Sequence, residues 1–330
     1  MNLSGFFSDG YSAGLIAGLI ALALMYRRGM ARPRLIGERI GGERPVLFAL
    51  ALLIWLAVAV TTLTHAGQRL FVFHQVQHLG LRLVAPLVFV LARPWPVLRA
   101  ALPRPARRAL GDLGARPAPR AIAHLATRLP VAFIMLIGWF YLWQFPALHN
   151  ASLSSPGLTF VAHLGMGASG VLFFSVVLNG QGVPDAGTHG LRVLSLIGVI
   201  LSNILLGSLT TLKERVIYTG YDQPDRLWGM AALTDETIGG YTIWVPSSMV
   251  IIIAILFAFH RWNAAEVRHW QNRHVWSGSN STALAYPETA AELRLKVSDP
   301  NRRVGRTLAV VSLSIFLVVF ATAVTVLSLG

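Results

Sequence analysis

The chain of 330 residues contains no cysteine. That absence excludes disulfides, thiolate metal sites and thiol redox chemistry, so any metal has to be held by His, Met or carboxylate. Charge is also scarce: 13% of the residues are charged, 54% are hydrophobic and mean hydropathy is +0.58. No Asp or Glu lies deep in any long apolar stretch. No unit of about 20–50 residues repeats, which excludes a solenoid. There is no hydrolytic triad, nucleotide loop or P-loop, so neither catalysis nor ATP-driven pumping is expected.

What remains is apolar sequence in long runs. Eight stretches are long and apolar enough to span a bilayer, near 10–26, 45–64, 71–92, 129–149, 157–178, 191–212, 239–261 and 307–329. The expected fold is all-α: a polytopic transmembrane bundle of about seven to eight helices, forming one integral membrane domain over 1–330. Segment 262–306 reads as a cytoplasmic loop within it. The leading "MNLSGFFSDG" has no Lys or Arg, and the basic "YRRGMARPR" follows the first span, so an uncleaved helix with its N-terminus outside is expected.

Charge sets the orientation. Lys and Arg number six in 27–44, eight in 93–128, one in 179–192 and eight in 261–306, against four in the loops between. Positive residues favour the cytoplasm, so both termini are expected to be exocytoplasmic, in a bacterial inner (plasma) membrane. The net charge of +14 is then explained by basic loops against anionic lipid, and the partner is the bilayer rather than nucleic acid.

Histidines do not follow the same logic. Of ten, His124, His189, His260, His269 and His274 fall in cytoplasmic loops or at cytoplasmic span ends. The other five, His65, His74, His78, His149 and His163, fall in the outer half of the membrane or at its edge. In "FHQVQHLGLRLVAP" (73–86), His74 and His78 are spaced i, i+4 and share one helix face, roughly 5 and 11 Å below the outer boundary by helical rise. His163 enters from the same side to roughly 6–9 Å, and Met166 follows one turn deeper. His65 and His149 are placed to cap this space. Imidazole suits zinc, copper, iron or nickel, thioether narrows the choice toward cuprous copper, and two axial histidines would equally suit haem. The plain alternative is that each imidazole hydrogen-bonds across a helix pair.

Other polar residues accompany the cluster. Gln77 is placed to orient an imidazole, and Gln75 points elsewhere. Arg82 continues the histidine face near the bilayer centre with no acid to pair with. The outer segment "KERVIYTGYDQPDRLWGMAALTDETIGG" (213–240) holds five acids and interfacial aromatics, including Tyr218 and Tyr221. Within it, 224–236 reads as a short surface helix capped by Asp225. Asp235 and Glu236, before "GG", either ligate a metal or supply negative charge at a helix N-terminus.

Three of these stretches together resemble the multi-span CtaG family. They are "FHQVQHLGLRLVAPLVFVLARP" (73–94), "LHNASLSSPGLTFVAHLGMGASGVLFF" (148–174) and "LTDETIGGYTIWVPSSMV" (233–250). The resemblance covers the second to seventh spans and implies assembly of caa-type cytochrome c oxidase, helping copper reach oxidase subunits from the outer side. It carries over His74, His78, His163, Asp235 and Gly239–Gly240. His65, His149 and Met166 come from topology alone. Two positions depart from the family pattern: Glu236 replaces its Gln, and Arg82 stands where an apolar residue is expected. The single-span copper chaperone of similar name uses cysteines and is a different protein. A haem-bearing membrane electron carrier and a copper or cation transporter are the competing expectations, the latter weakened by Arg82 in the path.

Overall fold

The computed structural model describes residues 10–36, 40–60, 62–178, 186–222 and 227–275, with isolated positions from 298 to 317. Every regular element among the described residues is helical. The α-helices are α1 (Gly10–Met30), α2 (Pro33–Ile36), α3 (Glu43–Val60), α4 (Thr62–Arg69), α5 (Phe71–Leu79), α6 (Ala85–Leu91) and α7 (Trp95–Ala101). They continue as α8 (Arg104–Ala115), α9 (Pro117–Ala126), α10 (Leu129–Gln144), α11 (Pro146–Ser154), α12 (Pro156–Val177), α13 (Ala186–Leu212) and α14 (Ala232–Val275). A π-helical turn, Gly80–Val84, joins α5 to α6.

Proline sets most of the boundaries. It occupies the first or second position of α6 to α12, where its missing N–H is harmless and its φ suits a helix start. At the end of α6, Arg93 takes a left-handed φ of 49° ahead of Pro94, and the chain turns by 76° into α7. Between α9 and α10 the turn is 71°.

These breaks bear on which helices can each cross a membrane unbroken. Among the described residues, three stretches are long and apolar enough to cross a membrane: Pro156–Val177, His189–Leu212 and Ala232–Ala265. The number rises to five if each bent pair, Phe71–Leu91 with Trp95–Ala101 and Pro117–Ala126 with Leu129–Gln144, is one span. The expected span 129–149 is divided because Pro146 starts a new helix, leaving α10 with 16 residues. At 1.5 Å per residue that is about 24 Å, short of a hydrocarbon core of about 30 Å. The first two expected spans correspond to α1 and to α3 with α4, whereas 307–329 lies almost wholly outside the described residues. Within segment 262–306, α14 runs on through Val275, and residues 276–297 lie outside the described residues.

The chain divides into two compact units, Met1–Asn179 with Gly198–Ala254, and Gly180–Ile197 with Ile255–Gly330. In the second, His189 stacks on Trp262 at 5.6 Å. In the first, α10 packs on α12 and α3 on α6. Trp139 Nε1 donates to the Ala162 carbonyl (3.1 Å), and the Tyr141 hydroxyl donates to the Ser202 carbonyl (2.8 Å). At Gly170 of α12, a Cβ would stand 2.2 Å from the Arg82 carbonyl oxygen, so only glycine lets α12 approach the π turn this closely.

Candidate metal centre

The site begins with a helix start that has no cap of its own. Leu70 is extended and offers no side-chain acceptor to the first N–H groups of α5. Asp235, 164 positions away and fully buried, supplies it: Phe71 N and Val72 N donate to its two carboxylate oxygens, both at 2.9 Å. A carboxylate at a helix N-terminus is favoured by hydrogen bonding and by the macrodipole together. It fixes the start of the helix that carries His74 and His78.

Gly239 and Gly240 complete the clamp. A Cβ on Gly239 would meet the Phe71 ring at 2.2 Å, and one on Gly240 would lie 3.0 Å from the Gly207 carbonyl of α13. The paired glycines therefore seat α14 against both the α5 entrance and α13. The expected surface helix at 224–236 is replaced by a single 3₁₀ turn at Leu227–Gly229 and by the start of α14 at Ala232, which takes in Asp235 and Glu236. Asp225 lies outside the described residues.

Three imidazoles converge below this entrance. His74, His78 and His163 are all buried, and each offers a ring nitrogen such that the three atoms lie within 4.8 Å of one another. Ring centroids are 4.4 Å apart for His74 and His78, 6.3 Å for His74 and His163, and 6.0 Å for His78 and His163. Three nitrogens at about 2.0 Å from a shared ion stand roughly 3.5 Å apart, so modest side-chain rotation closes the site.

Neighbouring groups select the ligating atoms. His74 Nδ1 lies 3.2 Å from the Gly67 carbonyl, which only accepts, so Nδ1 carries the proton and Nε2 keeps its lone pair. His78 Nδ1 is 3.4 Å from Gln144 Nε2. Gln144 also pairs reciprocally with Gln75, its Nε2 donating to Gln75 Oε1 at 2.6 Å and its Oε1 accepting from Gln75 Nε2 at 3.3 Å. Turning both amides over would present oxygen to His78 Nδ1 and exchange which ring nitrogen holds the lone pair.

His149 lies beside the trio, 4.7 Å from His74 by ring centroid, but both its nitrogens are engaged. Nδ1 donates to the Trp143 carbonyl (2.9 Å), and Nε2 accepts from the Tyr221 hydroxyl (2.8 Å). Burial raises the phenols of Tyr218 and Tyr221, Tyr221 well above the ordinary value with Asp235 adding to the effect, which keeps both protonated as donors. Tyr218 donates to the Gln144 carbonyl (2.9 Å), and its ring stacks on Phe71 at 4.3 Å. These aromatics close the site from above.

The remaining candidates separate clearly. Met166 is fully buried in the core one turn beyond His163. The His65 side chain falls outside the described residues, although α4 contains its backbone. Glu236 accepts from Tyr218 N (2.8 Å) and Ile217 N (3.1 Å) and is ion-paired with Lys213. Gln77 bonds to none of the described imidazoles but donates to the Val58 carbonyl (2.8 Å), tying α5 to α3. Arg82 rests 3.7 Å above the Phe140 ring and donates to Asn203 Oδ1 (3.1 Å).

Sequence reasoning missed Gln144 and the carbonyls of Gly67 and Trp143. Gln144 had a signal, as a lone amide ending the apolar run "FIMLIGWFYLWQ"; backbone carbonyls have none.

No curated protein and no solved structure matches the chain. One family model does, over residues 24–265, which include every histidine of the cluster, the capping Asp235 and the glycine pair. The chain belongs to the cytochrome c oxidase caa3 assembly factor (Caa3_CtaG) family.

Proposed function

We propose that this assembly factor holds copper as cargo at His74, His78 and His163 and presents it to the oxidase. The observation that carries the reading is the convergence of three buried imidazole nitrogens, from two helices, within 4.8 Å. Neutral nitrogen donors in a dry pocket, with the Arg82 cation further along the same helix, disfavour a doubly charged ion more than a singly charged one. That balance suits cuprous copper. Asp235, Glu236 and His149 position the site through the bonds they already make, and Met166 packs in the core one turn beyond His163. The 4.4 Å between the His74 and His78 rings leaves no space for a porphyrin between them, which counts against the haem reading for this pair.

The test is metal analysis of the full chain purified in detergent under reducing conditions. Near-stoichiometric copper is expected in the wild type, and loss of nearly all of it in His163→Ala at equal protein yield. Protein that carries no copper and takes none up would end the proposal.

We further propose the topology that the charge distribution implies: seven to eight spans in the bacterial plasma membrane, both termini exocytoplasmic, the histidine cluster on the outer side facing oxidase subunits. Reporter tags inserted at residues 110 and 222 are expected to be cytoplasmic and exocytoplasmic respectively. A cytoplasmic tag at 222 would place the cluster on the wrong side for this role.

A further inference from the structure

We infer that the short helices at the ends of α1 and α6 form a binding site for two neighbouring phosphate groups. Two adjoining cavities, of about 700 and 730 Å³, lie there. The first is lined by Arg99, Arg104, Arg107 and Arg108 together with Leu35 and Trp95. The second shares Leu35, Arg104 and Arg107 and adds Arg28, Arg32 and Arg34. Among the described residues, neither is lined by any Asp or Glu.

The arrangement is built rather than incidental. Arg32 Nη1 lies 3.1–3.4 Å from the carbonyls of Ala100, Ala101 and Leu102, so it closes the C-terminus of α7 and locks α2 against it. That places arginines from α1, α2, α7 and α8 around one space, where like charges repel unless an anion lies between them. Guanidinium forks match phosphate oxygens two at a time, and arginine is more weakly hydrated than lysine, so phosphate is the favoured anion. Two cavities sharing a wall of Arg104 and Arg107 fit two phosphates on one molecule better than one.

The surroundings have the character of a membrane boundary. Helix α7 lies at 76° to the apolar helix before it, and Trp95 at its start is 52% exposed. Leu110 and Leu113 on α8 are likewise exposed. Exposed Trp and Leu beside arginines suit the level of lipid headgroups. The paired phosphates can belong to a two-phosphate phospholipid or to a free diphosphate, and the recognition chemistry is the same.

The experiment uses the full-length protein, delipidated in detergent, with two probes: nanodiscs of phosphatidylcholine doped with diphosphatidylglycerol, and inorganic pyrophosphate. Retained lipid is read by native mass spectrometry and pyrophosphate binding by calorimetry. At least one probe is expected to bind, at least ten-fold more weakly in the Arg104→Gln/Arg107→Gln protein and measurably more weakly in the single Arg108→Gln. Arg303→Gln, outside both cavities, is expected to leave binding unchanged. Selective binding of the lipid identifies a headgroup site, and selective binding of pyrophosphate a soluble-ligand site. Failure of both probes to bind, or binding indifferent to the cavity arginines in variants that elute and unfold as the wild type does, overturns the proposal.

Discussion

The His78→Ala protein is expected to insert and accumulate normally while carrying almost no copper, and cells expressing it are expected to lose most of their caa-type oxidase activity. Loss of a hydrogen-bonded partner behind a ligand typically weakens a metal site 10–100-fold, so loss of one of three donors should exceed about 100-fold. Water does not substitute readily, because His78 is 2% exposed and the surrounding side chains exclude solvent. Gln144 stands next to His78 but is held by Gln75 and Tyr218. Alanine is more compatible with lipid than histidine, so insertion is not the weak step. If His78 instead served only as a packing partner, the variant would lose about 0.6 kcal/mol of helix association and keep its copper. Copper stoichiometry, oxidase activity and protein abundance from one culture distinguish the outcomes, and a copper-replete His78→Ala protein would remove His78 from the site.

Replacing Asp235 with alanine is expected to destabilise even the metal-free protein, by about 2–4 kcal/mol. The buried N–H of Phe71 and the part-buried N–H of Val72 at the start of α5 would be left without acceptors, at about 1–3 kcal/mol for a fully buried one and less for the other. Asn should recover part of the loss, since it keeps one acceptor oxygen but turns an amide donor toward a donor. Copper affinity is expected to fall with stability, because His74 lies one turn from the released helix end. A ligand role for Asp235 predicts another pattern: unchanged stability of the metal-free protein, with copper lost alone. Denaturant unfolding of the metal-free variants in mild detergent separates the two, and wild-type stability of Asp235→Ala would refute the capping role.

Much of the histidine cluster was legible in the sequence because its information is local. The i, i+4 spacing of His74 and His78 fixes a shared face whatever surrounds it, and matched depth from two helices of the same direction was enough to pair them with His163. The class of the fold was legible for the same reason, through uninterrupted apolar runs. Span ends were less so: a hydropathy window reads composition through Pro146, whereas one helix ends and another begins there. The acids at 235 and 236 were ambiguous in principle. One caps a helix 164 positions earlier in the chain and the other holds the loop before it, and no local pattern announces either. Gln144 takes the place beside an imidazole that was expected of Gln77, because nearness in sequence is not nearness in space.

The π-helical turn at Gly80–Val84 works as a phase correction. His74 faces α12, where His163 lies, and twelve residues later Pro86 faces α12 again, at Gly170. On an uninterrupted α-helix, positions twelve apart are about 120° out of phase at about 100° per residue. One additional residue in the π turn takes up about 100° of that, leaving the two positions within about 20° of each other. The same partner helix can therefore run along both halves, seven positions apart on its own side, with His163 and Gly170 themselves in phase. The extra residue acts as a vernier between two helical rulers, and it is what keeps a proline-containing half-helix aligned beneath the histidine pair.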